Sequence, residues 1–170
     1  MSKILSITLF SIVLASHLIA GKSDYKRGDW ITGEVICISD GDTVTIKIHQ
    51  KEIGIRFYGV DAPETAKRNA PEQPFASDAR DFVYKLLSGK EVAVRMKGET
   101  TWSREVGEVF IDGQSVSRLL AKDRLAWWNK QFSRYDSDIQ KLHSKAKEEQ
   151  RGLWSESKPI APWKWRDMHE

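Results

Sequence analysis

The sequence predicts a mainly β, α+β fold, in which a five-stranded barrel is accompanied by about three α-helices. Short runs of alternating or β-branched apolar residues recur along the chain, and helical spacing first appears after the third run. A chain of 170 residues has the length of one domain. Charged residues make up 30% of the sequence and apolar residues 40%, which excludes a disordered tail and a bundle of membrane helices.

The first 20 residues are predicted to be a secretory signal peptide. Lys3 precedes an apolar run that ends at Ala20, and polar sequence begins at Gly21. The run is short for a membrane-spanning helix and carries Ser, Thr and His, although an uncleaved anchor and a buried helix remain alternatives. We therefore expect a leader at residues 1–20 and one folded domain at residues 21–170, exported to the periplasm or secreted, without stable membrane association after cleavage.

Three predicted strands open the folded domain and are separated by polar turns. The first is rich in β-branched residues, and the other two alternate strictly between apolar and polar side chains. Such strands, joined by short turns, predict an antiparallel meander. Their ranges are Trp30–Ser39, Asp42–His49 and Glu52–Val60.

Helical spacing begins after a proline-containing loop that runs from Ala62 to Phe75. Apolar residues then recur at intervals of three and four, as on the buried face of a helix, and Gly89 ends the pattern. The residues on this face are Ala79, Phe82, Val83, Leu86 and Leu87.

Two more strands and two more helices are predicted in the second half of the chain. The strands are Glu91–Met96 and Val106–Ile111. Ser115 is the expected N-cap of a short helix, and a longer helix is expected from about Tyr135 to Gln150. Five strands with one helix after the third, followed by helices at the end, match the order of the OB-fold.

Two features of the composition narrow the classes of function. Cys37 is the only cysteine, so neither an intrachain disulfide nor a cysteine-based zinc site can form. The formal charge of +3 is too small to indicate nucleic-acid binding by itself.

Two aspartates extend the apolar faces of neighbouring strands. Asp42 is in phase with Val44 at the start of the second strand, and Asp61 is in phase with Phe57 just past the third. Because these ends adjoin in an antiparallel pair, two like charges would meet at one rim and repel unless a cation or a proton joins them. A hard cation with oxygen ligands, such as Ca²⁺, is the least costly solution. The alternative is that Asp40-Gly41-Asp42 forms an ordinary turn and Asp61 caps a loop.

Three more charged residues lie near these aspartates in sequence or in the predicted sheet. Glu64 follows Pro63 and is either a metal ligand, a base acting on water, or a solvated loop residue. Alternation alone makes Arg56 a surface residue, and Arg104 lies in a polar hairpin. Carboxylates, a cation and two guanidinium groups at one site would suit phosphate.

Together these motifs resemble the staphylococcal-nuclease (thermonuclease) family. The resemblance extends from about Asp29 to Arg166 and rests on motifs in family order: Asp40-Gly41-Asp42-Thr43, Arg56, Val60-Asp61-Ala62-Pro63-Glu64-Thr65, Arg104 and Arg151-Gly152-Leu153-Trp154. It implies an OB-fold and Ca²⁺-dependent hydrolysis of DNA and RNA phosphodiesters that leaves 3′-phosphate ends.

The resemblance also implies a set of metal ligands. Asp42 and Asp61 correspond to the carboxylate ligands of Ca²⁺, and Ala62 to a ligand that uses its backbone carbonyl. Asp40 corresponds to a carboxylate that supports the ligands from behind. Since the Ala62 ligand is a carbonyl, its side chain costs the metal nothing obvious.

The same resemblance assigns the catalytic residues. Glu64 corresponds to the general base that orients or deprotonates the attacking water. Arg56 and Arg104 correspond to the two phosphate-binding arginines, with Arg104 on the side of the leaving group. Trp102 and Phe132 stand where tyrosines are familiar, and we expect them to stack on bases. Ser103 stands where relatives often have Gly, which would alter how Arg104 is presented.

The full set of carboxylates and arginines favours an enzyme over its alternatives. These are a non-catalytic nucleic-acid-binding module on the same fold, a metal-dependent phosphatase, and a structural barrel with a solvated acidic rim. We therefore expect an exported, monomeric, Ca²⁺-dependent nuclease that acts on DNA and RNA.

Overall fold

The computed structural model of the protein describes residues 23–169. The predicted signal peptide at residues 1–20 therefore lies outside the described residues. Within the described range, no helix is both long and apolar enough to span a membrane.

Eight strands and six helical segments follow one another along the described chain. The strands are β1 (Trp30–Asp40), β2 (Thr43–Ile48), β3 (Lys51–Phe57), β4 (Val60–Asp61), β5 (Glu91–Thr101), β6 (Arg104–Ile111), β7 (Gln114–Ser115) and β8 (Trp127–Trp128). The helices are α1 (Ala76–Leu87), α2 (Val116–Lys122), α3 (Lys130–Ser133), α4 (Ser137–Glu148) and α5 (Pro162–His169), with a 3₁₀-helix at Gly152–Ser155 before α5.

Five of the strands close into a barrel. Antiparallel pairing runs in the order β3-β2-β1-β5-β6, and β3 also pairs with β6 in parallel, with Arg56 opposite Val106. At the closing pair Phe57 lies opposite Gly107, where an added Cβ would lie only 2.4 Å from Cγ1 of Val94 in β5, so a glycine fits this crowded position. The predicted α+β fold class, a five-stranded OB-fold barrel with helices, is confirmed.

The barrel interior and α1 form one apolar core. Alternate residues of β2 and β3 point inward, and the predicted apolar face of α1 packs on β1. Burying an aliphatic side chain of this size contributes about 1.5–3 kcal/mol. The fully buried members include Val44, Ile46, Ile55, Val83 and Leu87.

The structure differs from the sequence prediction at element boundaries. The third strand ends at Phe57, and β4 pairs with β8 in a separate two-stranded sheet. Strand β5 continues past Met96 to Thr101 after an irregularity in its register. This extension consists of partly exposed polar residues, so it lacks the apolar alternation from which the strand was predicted. Ser115 precedes α2 as predicted, but its hydroxyl makes no capping hydrogen bond.

Two short helices, α3 and α5, add to the three helices that the sequence predicts. Helix α3 has only 4 residues, and α5 has 8 residues within the tryptophan-rich tail. Neither is long enough to show a clear apolar periodicity, so tertiary packing rather than sequence pattern defines them.

Candidate active site

Two buried aspartates meet at one rim of the barrel. Asp42 lies in the turn between β1 and β2 and is 4% exposed, and Asp61 lies in β4 and is 1% exposed. The turn packs closely on its surroundings, because a Cβ added at Gly41 would lie 2.6 Å from Cβ of Ala79 and 2.9 Å from Cβ of Ala62. Glycine at this position therefore lets the turn carry Asp42 into the rim.

The guanidinium group of Arg56 joins the two aspartates. It forms an ion pair with Oδ2 of Asp42, and its Nη2 donates to Oδ1 of Asp61 at 2.6 Å. The Arg56 side chain is only 14% exposed, so the surface position that alternation indicates is wrong. Burial lowers the pKa of Arg56, whereas the charges of Asp61 and Asp40 oppose that shift. The sequence-predicted meeting of two like charges thus occurs, with arginine between them.

Asp42 is held by its neighbours as well. The Ala62 backbone N–H donates to Oδ2 of Asp42 at 2.6 Å, and the Thr43 hydroxyl donates to Oδ1 at 3.2 Å. Oδ1 of Asp40 accepts a hydrogen bond from the backbone N–H of Asp42 at 3.1 Å, which stabilises the turn. Asp40 therefore supports Asp42 through the main chain, and Ala62 contacts Asp42 through its amide.

Arg104 reaches the same rim from β6. Its Nη1 donates to the Thr43 hydroxyl at 3.0 Å, so Thr43 links Arg104 to Asp42. The parallel pairing of β3 with β6 places Arg104 beside Gly54, where an added Cβ would lie 3.2 Å from Cγ of Arg104. Ser103, just before it, has a φ of 65°, a conformation that favours glycine.

Glu64 is held on both its main chain and its side chain. Its N–H donates to the Gln73 side chain at 3.0 Å, and its carbonyl accepts from the Gln73 N–H at 2.9 Å. Its carboxylate accepts from Lys67 Nζ at 2.5 Å and contacts Arg166. At 15% side-chain exposure, Glu64 is not the solvated loop residue of the alternative interpretation.

Arg166 is a site residue that the sequence analysis did not predict. From α5 its Nη2 donates to Oδ2 of Asp61 at 2.9 Å, and its Nη1 contacts the Glu64 carboxylate. Burial would lower the pKa of Arg166, but the hydrogen bonds and charges of Asp61 and Glu64 raise it above the usual value. No local pattern marks this residue, because it is 102 positions from Glu64.

The two predicted stacking residues are both exposed aromatics. Trp102 is 69% exposed at the turn between β5 and β6, and Phe132 is 53% exposed in α3. Tyr135, which follows closely, is 90% exposed and was not predicted. Contact of these rings with bases stays a prediction.

The oxygen donors at the rim fit a hard divalent cation. Asp42 and Asp61 are anionic, buried and close enough to share one guanidinium group, and Ca²⁺ prefers carboxylate and carbonyl oxygens. Among residues 23–169, no group of three or more His, Cys, Asp or Glu side chains is arranged to hold a metal. The predicted calcium site contains only two carboxylates, and its third ligand is the backbone carbonyl of Ala62. Such a site therefore depends on oxygen donors other than carboxylates.

This arrangement combines the groups that phosphate chemistry requires. Arg56 and Arg104 both adjoin Thr43, Arg56 as its register partner in β3 and Arg104 through a hydrogen bond, and guanidinium groups are suited to phosphate oxygens. Glu64 supplies a fixed carboxylate nearby, linked to Asp61 through Arg166. Guanidinium groups, buried carboxylates and the fixed Glu64 carboxylate thus converge on one rim.

Comparison with known proteins identifies the family. A family profile described as Staphylococcal nuclease homologue matches residues 54–156. A protein named Uncharacterized endonuclease from Escherichia coli O157:H7 is 31% identical over 137 residues, covering 80% of this chain and 85% of that protein. Another of that name from Haemophilus influenzae is 30% identical over 161 residues, covering 94% of this chain and 84% of that protein. Micrococcal nuclease of Shigella flexneri is 28% identical over 144 residues, 79% of each chain. The chain therefore belongs to the staphylococcal nuclease homologue family.

Proposed function

We propose that this protein is a Ca²⁺-dependent, sugar-nonspecific nuclease that hydrolyses phosphodiester bonds of DNA and RNA and leaves 3′-phosphate ends. The observation that carries the proposal is the convergence of Asp42 and Asp61 on Arg56, with Arg104 linked to the same cluster through Thr43. The relatives named endonuclease and micrococcal nuclease support hydrolysis of nucleic acid.

The arginines bind the phosphate that is attacked. Arg56 and Arg104 would each offer a planar donor fork to its oxygens, with Arg104 on the side of the leaving group. Both guanidinium groups lie at the rim, Arg56 paired with Asp61 and Arg104 bonded to Thr43, and would stabilise the charge that develops on the phosphorane-like transition state once substrate replaces part of these contacts.

Glu64 provides the base, and the aspartates provide the metal ligands. Glu64 would orient or deprotonate the water that attacks in line with the leaving group. Asp42, Asp61 and the Ala62 carbonyl would hold Ca²⁺, with Asp40 behind them. When bound, Ca²⁺ polarises a phosphoryl oxygen and neutralises negative charge.

The remaining parts of the proposal concern the substrate and the location. Exposed Trp102 and Phe132 would stack on bases of single-stranded or frayed substrate with little sequence preference. Cleavage of the leader at residues 1–20 would release a monomeric enzyme into the periplasm or the medium.

A cleavage assay tests the proposed function. The protein is incubated with plasmid DNA and with RNA in millimolar Ca²⁺ and in chelator, alongside Glu64→Gln and the exposed control Glu52→Ala. We expect both polymers to be cleaved only in Ca²⁺, with the Glu64 variant slower by about 10²–10⁴-fold and the control unchanged. The proposed function is wrong if both polymers stay intact in Ca²⁺, and a gel shift under those conditions would then support a non-catalytic binding module.

A further inference from the structure

The C-terminal helix α5 sends one side chain, that of Arg166, into the candidate site. We propose that Arg166 is a positioning residue that holds the Glu64 carboxylate beside Asp61, so that α5 forms part of the active site. This inference rests on the proposed function, in which Glu64 acts on water.

Arg166 binds two carboxylates with one rigid group. Its Nη1 and Nη2 reach Oδ1 and Oδ2 of Asp61 at 3.3 Å and 2.9 Å, and Nη1 also contacts Oε1 of Glu64. Asp61 is 1% exposed and is further fixed by Arg56. Because the guanidinium fork is planar and bidentate, fixing it on Asp61 also fixes the direction in which it holds Glu64.

The other partner of the Glu64 carboxylate cannot do the same. Lys67 is 59% exposed, and its ammonium group is a single point charge on a flexible chain. Exposed ion pairs of this kind restrain a side chain weakly. Without Arg166, the Glu64 carboxylate would therefore sample several rotamers.

The main chain of Glu64 depends on the same C-terminal segment. The Gln73 side chain accepts from the Glu64 N–H at 3.0 Å and donates to the Ile160 carbonyl at 2.7 Å. Gln73 is 3% exposed, and Ile160 lies just before α5. The segment that ends in Arg166 thus holds Glu64 at its backbone and at its carboxylate.

Aromatic packing sets the position of α5 relative to Asp61. The ring of Trp163 in α5 lies edge-on to that of Trp127, with centroids 5.7 Å apart. Trp127 also contacts Trp154 at 4.3 Å, and it is the register partner of Asp61 in the β4–β8 pair. The strand pair that carries Asp61 is therefore also the surface on which α5 is anchored.

A kinetic comparison of variants in the full-length chain tests the proposal. The variants are Arg166→Ala, Arg166→Lys and the exposed control Lys164→Ala on the same helix, each measured in saturating Ca²⁺. We expect Arg166→Ala to lower kcat by about 10- to 100-fold with little change in KM, because the base loses its orientation. Arg166→Lys should recover little of kcat, because an ammonium group cannot hold both carboxylates in one plane, and the control should match the wild type.

A double-mutant cycle with Glu64→Gln separates positioning from other roles. If Arg166 acts through Glu64, Arg166→Ala should slow the Glu64→Gln enzyme by less than about twofold. The same cycle on melting temperature in chelator should show coupling between the two residues, which requires no activity.

Several outcomes would overturn the inference. These are an equal loss of kcat in both backgrounds, a rise in KM with kcat unchanged, an equal loss in the Lys164 control, or independent effects on the melting temperature. If the wild type cleaves nothing, the proposed function fails instead, and the melting cycle still shows whether Arg166 holds Glu64.

Discussion

At the scale of single residues, Arg56 has a structural role in addition to its proposed contact with phosphate. Its guanidinium group is the shared counter-ion of Asp42 and Asp61, which are both nearly inaccessible to solvent. Buried charges of one sign are costly unless a partner compensates them. Arg104 differs, because its contacts at the rim are the Thr43 hydroxyl and the Thr101 carbonyl.

We expect Arg56→Ala to destabilise the protein in chelator by about 3–5 kcal/mol, since it leaves two buried carboxylates without that partner. Arg104→Ala is the comparison and should cost less, about 1–3 kcal/mol, the value of two ordinary hydrogen bonds. Urea unfolding in chelator measures both. Equal stabilities of the two variants would contradict this account of Arg56.

At the scale of elements, two packing arrangements build the site. The parallel β3–β6 pair closes the barrel and places Arg104 next to Gly54. The turn that carries Asp42 lies against α1, so closely that a Cβ added at Gly41 would overlap Cβ of Ala79. The helix therefore supports the rim as well as the core.

Gly41→Ala tests this support. The added methyl group would overlap Ala79 and Ala62, so the turn must move, at a cost of about 1–3 kcal/mol and with a loss of cleavage activity. Removing the opposing methyl group with Ala79→Gly should make the Gly41→Ala change less costly than it is alone. Thermal unfolding of the four proteins measures this coupling, and strictly additive losses would argue against the contact.

At the scale of the whole molecule, an aromatic cluster connects α4, β8 and the C-terminal segment. His143 of α4 packs edge-on to Trp154, with ring centroids 4.9 Å apart. Its Nε2 is buried and has no hydrogen-bond partner within the described part of the chain. Burial, with a smaller effect of Lys147, lowers the pKa of His143 to about 4.

This buried histidine predicts a pH dependence of folding stability. Between its ordinary pKa of 6.5 and about 4, the unfolded chain binds a proton that the folded chain does not. Stability should therefore fall as pH decreases through this window and be unaffected by His143 above it. His143→Phe should reduce this slope in melting temperature, whereas exposed His49→Gln should follow the wild type. An identical slope in His143→Phe would contradict the prediction.

The net charge of the whole chain and the charges at the candidate site lead to different conclusions. The formal charge of +3 indicates little about partners, yet the site gathers four carboxylates and three arginines at one rim. Local ion pairing, rather than the net charge of the chain, therefore sets the charge at this rim.

The sequence alone was sufficient to predict the barrel and the meeting of Asp42 with Asp61 at one rim. Alternation predicted that Asp42 and Asp61 meet at adjoining strand ends, because side-chain direction has a period of two in any strand. The two aspartates do meet, but Asp61 lies in β4, beyond the turn that ends β3. Alternation wrongly predicted an exposed Arg56. It shows that Arg56 points away from the barrel interior, but it cannot show that Asp42 and Asp61 bury that side of the strand at the rim.

Only the tertiary structure decided which distant residues complete the site. Arg104 reaches Thr43 through barrel closure, and Arg166 reaches Glu64 through the packing of α5 on Trp127. Local sequence patterns report local geometry, whereas contacts between residues 61 and 102 positions apart depend on how the elements pack. The sequence by itself determined the strands, the acidic rim and the family motifs, and packing determined how that rim is neutralised and how its base is held.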